Sequence, residues 1–168
     1  MSLSVILDTD FLSAFLKIER LSLVKDFYQV EFLLIPSAVH SELSVTSLDE
    51  ALAKLPWVQT EVPPSGWDLP ATPDPTLLGA GELQAIALAR QSDQALILSN
   101  DNAARRMARR LGLNAIDIPE FLLSCKTSGF LDQAELQDLI RDLQEKDHYG
   151  FRKEILDRLL SASEIGGV

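Results

Sequence analysis

Three short stretches of this chain are apolar runs and not alternations: Val5 to Leu7, Val30 to Ile35 within VEFLLIPS, and ALILS ending at Ser99. A strand without a polar face has to be buried on both sides. The arrangement that does this is a parallel sheet with helices above and below it. Helical patterns lie between these runs, as that arrangement requires. Thr9 to Phe15 can be capped by Asp8 or Thr9, SAVHSELS by Ser37, and SLDEALAKL follows. WVQTEV reads as a short extended piece, GELQAIALARQS as a helix, Arg105 to Leu111 as a helix, NAIDI as a last strand, and Pro119 to Ser124 as a helix. The expected fold is therefore α/β, a three-layer Rossmann-like sheet, mostly parallel, with helices on both faces.

The boundaries follow from composition. PPSGWDLPATPDPTLLGAG holds five of the eight prolines and three of the eight glycines, and it reads as one long loop. Residues 1–130 form the expected core. Residues 131–168 form a helical extension packed on the same domain, with two helices interrupted near Gly150 and with Leu136, Leu139, Ile140, Leu143, Ile155, Leu156, Leu159 and Leu160 at helical spacing. A single cysteine, Cys125, excludes an internal disulfide. No run is long and apolar enough for a membrane span, and none resembles a signal peptide, so the expected compartment is the cytoplasm, with no membrane partner.

The net charge of −10 argues against nucleic acid, since phosphate contacts need a positive field. Its distribution weakens that objection. Nine acids against five bases lie between Phe130 and Glu164, whereas NDNAARRMARRLG sets Arg105, Arg106, Arg109 and Arg110 on one helix with Asp101 as the only acid. Ala104, Met107, Ala108 and Leu111 make the apolar face of that helix. The arginines are its solvated face or a contact for phosphates, and the pattern alone weighs the two equally. Trp57 and Trp67 read as core or loop anchors, His40 as a helix-surface residue, and His148 as part of a turn in the tail.

In an open α/β sheet, ligands bind beyond the carboxyl ends of the strands. Asp8 ends the first strand, Glu42 lies in the helix after FLLIP, Glu82 opens the helix after the long loop, and Asp101 lies two residues beyond Ser99. All four can reach one edge of the sheet. Four carboxylates there must either take up protons or gather round a cation. Oxygen ligands suit a hard divalent cation, Mg²⁺ in particular, and no zinc-type arrangement of His and Cys competes. Singly, each acid has a plain structural reading: Asp8, Asp10 and Asp101 as helix caps, Glu42 as an exposed helical acid, Glu82 as a first-turn acid favoured by the helix dipole.

The order ILDTDFLSAFL, LLIPSAVHSEL, GAGELQAIALAR and ILSNDNAARRMARRLG resembles the PIN domain, the nuclease fold of VapC-type toxins and related prokaryotic nucleic-acid-binding proteins, over residues 5 to roughly 130. The resemblance implies an Mg²⁺- or Mn²⁺-dependent endoribonuclease whose catalytic and metal-binding acids are Asp8, Glu42, Glu82 and Asp101. Ser99, Asn100 and Asp10 stand beside them, and Arg105, Arg106 and Arg109 hold flanking phosphates. Asn100 stands where nearer relatives often carry an acid, and a neutral carbonyl oxygen is the weaker ligand. RNA is the implied substrate, an antitoxin protein and a second copy of the chain are the implied partners, and the toxin of a VapBC-like pair is the implied role. Two alternatives stay open: a PIN fold with weakened catalysis that binds nucleic acid or protein, and a phosphatase of the haloacid-dehalogenase type, whose Asp-x-Asp start DTDFL also resembles. The second lacks a lysine at a convincing strand end.

Overall fold

Val5, Ile6 and Leu7 are fully buried, so the first strand does lie between two apolar layers. The computed structural model describes residues 2–66 and 78–161 and divides the chain into two compact units, Met1–Ile118 and Pro119–Val168. Most of the proline-rich loop reading, with Trp67, lies outside the described residues.

The first unit runs β1 (Ser4–Leu7), α1 (Thr9–Lys17), α2 (Leu21–Tyr28), β2 (Leu33–Pro36), α3 (Ser37–Ser44), α4 (Leu48–Ala53), β3 (Val58–Glu61), α5 (Ala80–Gln91), β4 (Ala95–Leu98), α6 (Asn102–Arg110) and β5 (Asn114–Ile116). The strands form one parallel sheet in the order β3-β2-β1-β4-β5. Ile6 lies beside Leu34 on one side and Ile97 on the other, and Ile97 beside Ala115. These residues share a face of the sheet, and a core of Ile6, Ile97, Ala115, Ala85, Ile86, Ala89, Ala104, Met107 and Ala108 joins it to α5 and α6. One residue along, Val5, Leu7, Leu33 and Ile35 point the other way and are equally buried, as are Phe11 and Phe15 of α1, whose rings stack at 5.2 Å. Burying one such side chain stabilises a fold by about 1.5 to 3 kcal/mol.

The strand order reverses at β1. From it the chain steps outward to β2 and β3, then returns to lay β4 and β5 on the other side. With right-handed crossovers this distributes the helices over both faces and opens a crevice beyond the carboxyl ends of β1 and β4.

Several boundaries differ from the sequence reading. α2 was not foreseen, and it takes up residues before the expected second strand. Gln29 ends α2 in the left-handed conformation, Val30 N–H donates back to Lys25 O, and the strand begins only at Leu33. Pro36 is the last residue of β2 and no stop before it. Its missing N–H costs nothing there, because the residue preceding α3 owes no helical hydrogen bond. Ser37 does not cap α3, as described below. β4 ends at Leu98, one residue before Ser99, and α6 begins at Asn102, three residues earlier than expected. Trp57 is half-buried and lines a cavity of about 240 Å³ with Phe15, Leu21 and Leu55.

The second unit contains α7 (Ile118–Thr127, entered at its second residue), α8 (Gln133–Lys146) and α9 (Lys153–Leu160). Asp132 and Glu135 form a reciprocal cap at the start of α8, with Glu135 N–H donating to Asp132 Oδ1 (2.8 Å) and Asp132 N–H to Glu135 Oε2 (2.9 Å). Lys126 Nζ donates to the carbonyls of Arg158 (2.7 Å) and Ser161 (2.8 Å), closing the end of α9. Leu136, Leu139, Ile140 and Leu143 are buried, as their spacing predicts. At the break between α8 and α9 it is His148, and not Gly150, that takes the left-handed backbone. Cys125 is buried, and burial pushes its thiol up to about 12. Among the described residues, no helix is long and apolar enough to cross a membrane.

Candidate active site

The residue after β1 is Asp8, and the residue after β4 is Ser99. Because these strands are neighbours at the point where the order reverses, the two side chains meet. Asp8 N–H donates to Leu98 O (3.1 Å), which carries the strand pairing one residue further. Ser99 Oγ donates to Asp8 Oδ2, while Asp8 Oδ1 accepts from Phe11 N–H (3.0 Å) and caps α1. Both residues are only 1% exposed. Burial raises the Asp8 carboxyl to about 7. The bonds from Ser99 and Phe11 pull the other way, and the charges of Asp10 and Glu82 push it further up. A helix cap in water would show none of this. Capping and a buried, electrostatically crowded carboxylate coexist in Asp8.

Ser99 joins a second acid to the first. Its Oγ accepts from Asp101 N–H (3.1 Å), and Asp101 Oδ1 accepts from Ala104 N–H (2.7 Å), so Asp101 caps α6. The capping reading of Asp101 therefore holds as geometry, and one carboxylate oxygen is left for other partners. Asn100, between them, is turned away from the acids in its hydrogen bonding. Its Oδ1 accepts from Ile118 N–H (3.0 Å), tying the end of β4 to the segment after β5.

Glu42 and Glu82 arrive on α3 and α5. Thr9 Oγ1 donates to Glu42 Oε2 (2.7 Å), linking the first turn of α1 to α3. Gly81 faces this pair: a Cβ there would stand at ordinary contact distance, 3.6 Å, from both Glu42 Oε1 and Thr9 Oγ1, but 3.0 Å from Val39 Cγ2, so it is the packing of α3 on α5 that the glycine eases. A Cβ at Gly79 would lie 2.5 Å from Glu82 Oε2, so the Glu82 carboxylate folds back over the start of its own helix. This is where the helix dipole favours an anion. In the GAGE segment the Glu82 carboxylate thus lies over Gly79, and the Val39 side chain packs against Gly81. Gln84, on the same helix, supplies what Ser37 was expected to supply. Its Oε1 accepts from Ala38 N–H (2.9 Å) and from Ser37 Oγ (3.1 Å), and so caps α3 from outside.

The arginines separate. Arg105 is 8% exposed, contrary to the reading of all four as one solvated face. Its Nη1 donates to Ser99 O (2.9 Å), and its Nη2 donates to Asn102 Oδ1 and stands 3.6 Å from Asp117 Oδ2. These contacts turn Arg105 toward the end of β5, on a helix that Asp101 caps. Arg106, Arg109 and Arg110 are exposed, and Arg109 Nη2 also donates to Ala115 O (3.0 Å).

The structure thus links Asp8, Ser99 and Asp101 by hydrogen bonds, sets Asp10 and Glu82 near enough to Asp8 to act on its charge, and places Glu42 beside Thr9 and Gly81. It does not close them on a single point: among the described residues no three His, Cys, Asp or Glu side chains stand together closely enough to hold a metal ion. As a donor set the residues fit a hard divalent cation in kind, because they offer carboxylate and hydroxyl oxygens and neither thiolate nor imidazole. Sequence reasoning missed Thr9, Gly81, Gln84 and the network of Arg105, Asn102 and Asp117. The glycine pair before Glu82 was the one visible signal.

A family model described as a PIN domain matches residues 4–164. No curated protein matches the chain. Among solved structures, the PIN domain endonuclease Utp24 is similar at a TM-score of 0.49 and 15% identity, over 68% of this chain and 84% of that one. A PilT N-terminus domain protein from the hyperthermophilic archaeon Sulfolobus solfataricus P2 is similar at a TM-score of 0.49 and 20% identity, over 89% of this chain and 99% of that one.

Proposed function

This chain belongs to the PIN-domain family, and from that premise we propose that it is a metal-dependent endoribonuclease that hydrolyses RNA phosphodiester bonds. PIN domains are commonly nucleases and generally use divalent metals. The observation that carries the reading is Asp8, a carboxylate buried at the switch point of the sheet, with its proton affinity raised by burial and by the charges of Asp10 and Glu82. A fold holds such a group at a strand end at a cost, and groups of this kind cluster at functional sites.

Asp8, Glu42, Glu82 and Asp101 are the acids that would hold Mg²⁺ or Mn²⁺. The cation supplies a more acidic bound water and neutralises charge at the scissile phosphate. The remaining work falls to the chain itself. Ser99 fixes the Asp8 carboxylate, Thr9 fixes Glu42, and the exposed Arg106 and Arg109 sit on α6, which Asp101 opens, where they can hold phosphates flanking the cut. The VapC-like role, with an antitoxin protein and a second copy of the chain as partners, belongs to the same proposal.

The test is calorimetric titration of Mg²⁺ and Mn²⁺ into wild type and Asp8→Asn, with cleavage of a pooled RNA on the same samples. Binding and cleavage that both disappear in the variant support the nuclease. A second reading, a PIN fold that binds without cutting, is favoured by the engagement of Asn100 with Ile118 N–H and by the separation of the acids. A folded wild type that retains RNA in a binding assay but neither binds metal nor cleaves it would support that reading instead.

A further inference from the structure

We propose that Arg105 is a positioning residue for the acidic site, acting on Asp8 through Ser99, and is not a contact for the nucleic-acid backbone. The inference rests on the nuclease reading for its functional consequence, but its structural content stands apart from it.

Ser99 is the only residue bonded by its side chain to Asp8 from another strand end in the described part of the site, and it is held by three groups. Its N–H donates to Ile116 O (2.9 Å), its Oγ accepts from Asp101 N–H (3.1 Å), and its carbonyl accepts from Arg105 Nη1 (2.9 Å). The first two belong to the backbone around it. The third comes from a guanidinium that is otherwise spent on Asn102 Oδ1 and on Asp117, the residue following β5. Arg105 therefore ties the segment after β4 to the segment after β5, and the bond from Ile118 N–H to Asn100 Oδ1 makes the same tie one residue on. Both terminal nitrogens of the guanidinium are thus engaged within the chain, and among the described residues no buried side-chain nitrogen or oxygen lacks a partner. A planar fork can serve Ser99 O, Asn102 and Asp117 together, whereas an ammonium serves one such geometry poorly. If Ser99 shifts, so does the hydroxyl that fixes the Asp8 carboxylate. Partners of this kind behind a metal-binding group commonly matter by about 10- to 100-fold in affinity or rate.

The experiment compares wild type, Arg105→Lys and the charge-balanced double variant Arg105→Met/Asp117→Asn, the last guarding against failure to fold. Each is read in three ways: amide hydrogen exchange at Asp101, Mn²⁺ affinity by calorimetry, and RNA cleavage resolved into kcat and KM with the salt dependence of RNA binding. The expected result is faster exchange at Asp101 by about tenfold or more, with Ala104 and Phe11 still protected. Mn²⁺ binding and kcat are expected to be lower by about 10-fold or more, with KM and the salt slope unchanged. A raised KM with a salt slope reduced by about one, and with kcat and Asp101 exchange unmoved, would overturn the proposal in favour of a phosphate contact. Unchanged exchange at Asp101 in both folded variants would overturn it outright. If wild type shows neither metal binding nor cleavage, the nuclease reading fails, and the exchange result still decides whether Arg105 holds Ser99.

Discussion

Asp8 does two things that pull in opposite directions. As a cap it accepts from Phe11 N–H, which favours the charged form, yet its burial favours the neutral one and prevails, leaving the carboxyl at about 7. The consequence for stability has a definite sign. Between about pH 4 and pH 7 the folded chain keeps a proton on Asp8 that the unfolded chain releases, so stability from this group is full below that window and is lost as pH rises through it. Asp8→Asn cannot ionise and escapes the loss. In metal-free buffer the variant should melt about 5 °C or more above wild type at pH 8, a gap that narrows toward pH 5. Thermal melts with a chelator at the two pH values check this, and a variant that is the less stable one at pH 8 would refute it. The position of Asp8 could be read in the sequence, because an apolar run that stops on an acid is a local pattern. Its company could not. The burial of Arg105 depends on Asp117 and Ser99, and a four-arginine helix gives no local sign of which member turns inward.

At the scale of elements, α3 and α5 are coupled by a cap that belongs to neither alone. Gln84 closes the amino end of the helix that carries Glu42 from within the helix that carries Glu82. Gln84→Ala should cost about 1 kcal/mol, lowering the melting temperature by about 2 to 4 °C, and should speed amide exchange at Ala38 specifically; Gln84→Glu, which keeps an acceptor, should retain protection there. Hydrogen exchange and melting curves on the two variants measure both effects. Ser37 was the natural candidate for this cap because it stands at the right place in the chain, but the acceptor that fills the role lies 46 residues from Ala38. The parallel sheet was legible from its unbroken apolar runs. α2 was not read at all, since Leu21–Tyr28 carries no side-chain cap at its start and ends on Gln29 in place of a glycine. At Asp8, where a local carboxylate caps the helix, the boundary was read correctly, whereas at Asp101 the cap was legible but the helix start was set three residues late. Where a boundary was set by a distant side chain or a left-handed non-glycine, the reading failed.

For the molecule as a whole, the charge balance is the constraint. A chain of net charge −10 can approach RNA only through a local basic surface, and Arg106 and Arg110 on the outer side of α6 are exposed members of one. Arg106→Ala and Arg110→Ala should each weaken RNA binding to a similar extent across sequences and reduce the salt slope by about 0.7 to 1, without lowering the melting temperature appreciably. Affinity measured over a series of salt concentrations reads this directly. A variant pair that leaves the slope unchanged would place the RNA path elsewhere on the surface. Finally, the buried thiol of Cys125 has a practical consequence. With its only sulfhydryl enclosed and its ionisation pushed to about 12, the protein is expected to react with maleimides only slowly at neutral pH. A fluorophore or spin label can therefore be attached at a cysteine introduced on α6 without first removing the native one, and the proposed approach of RNA to this face can be tested in the otherwise unaltered chain.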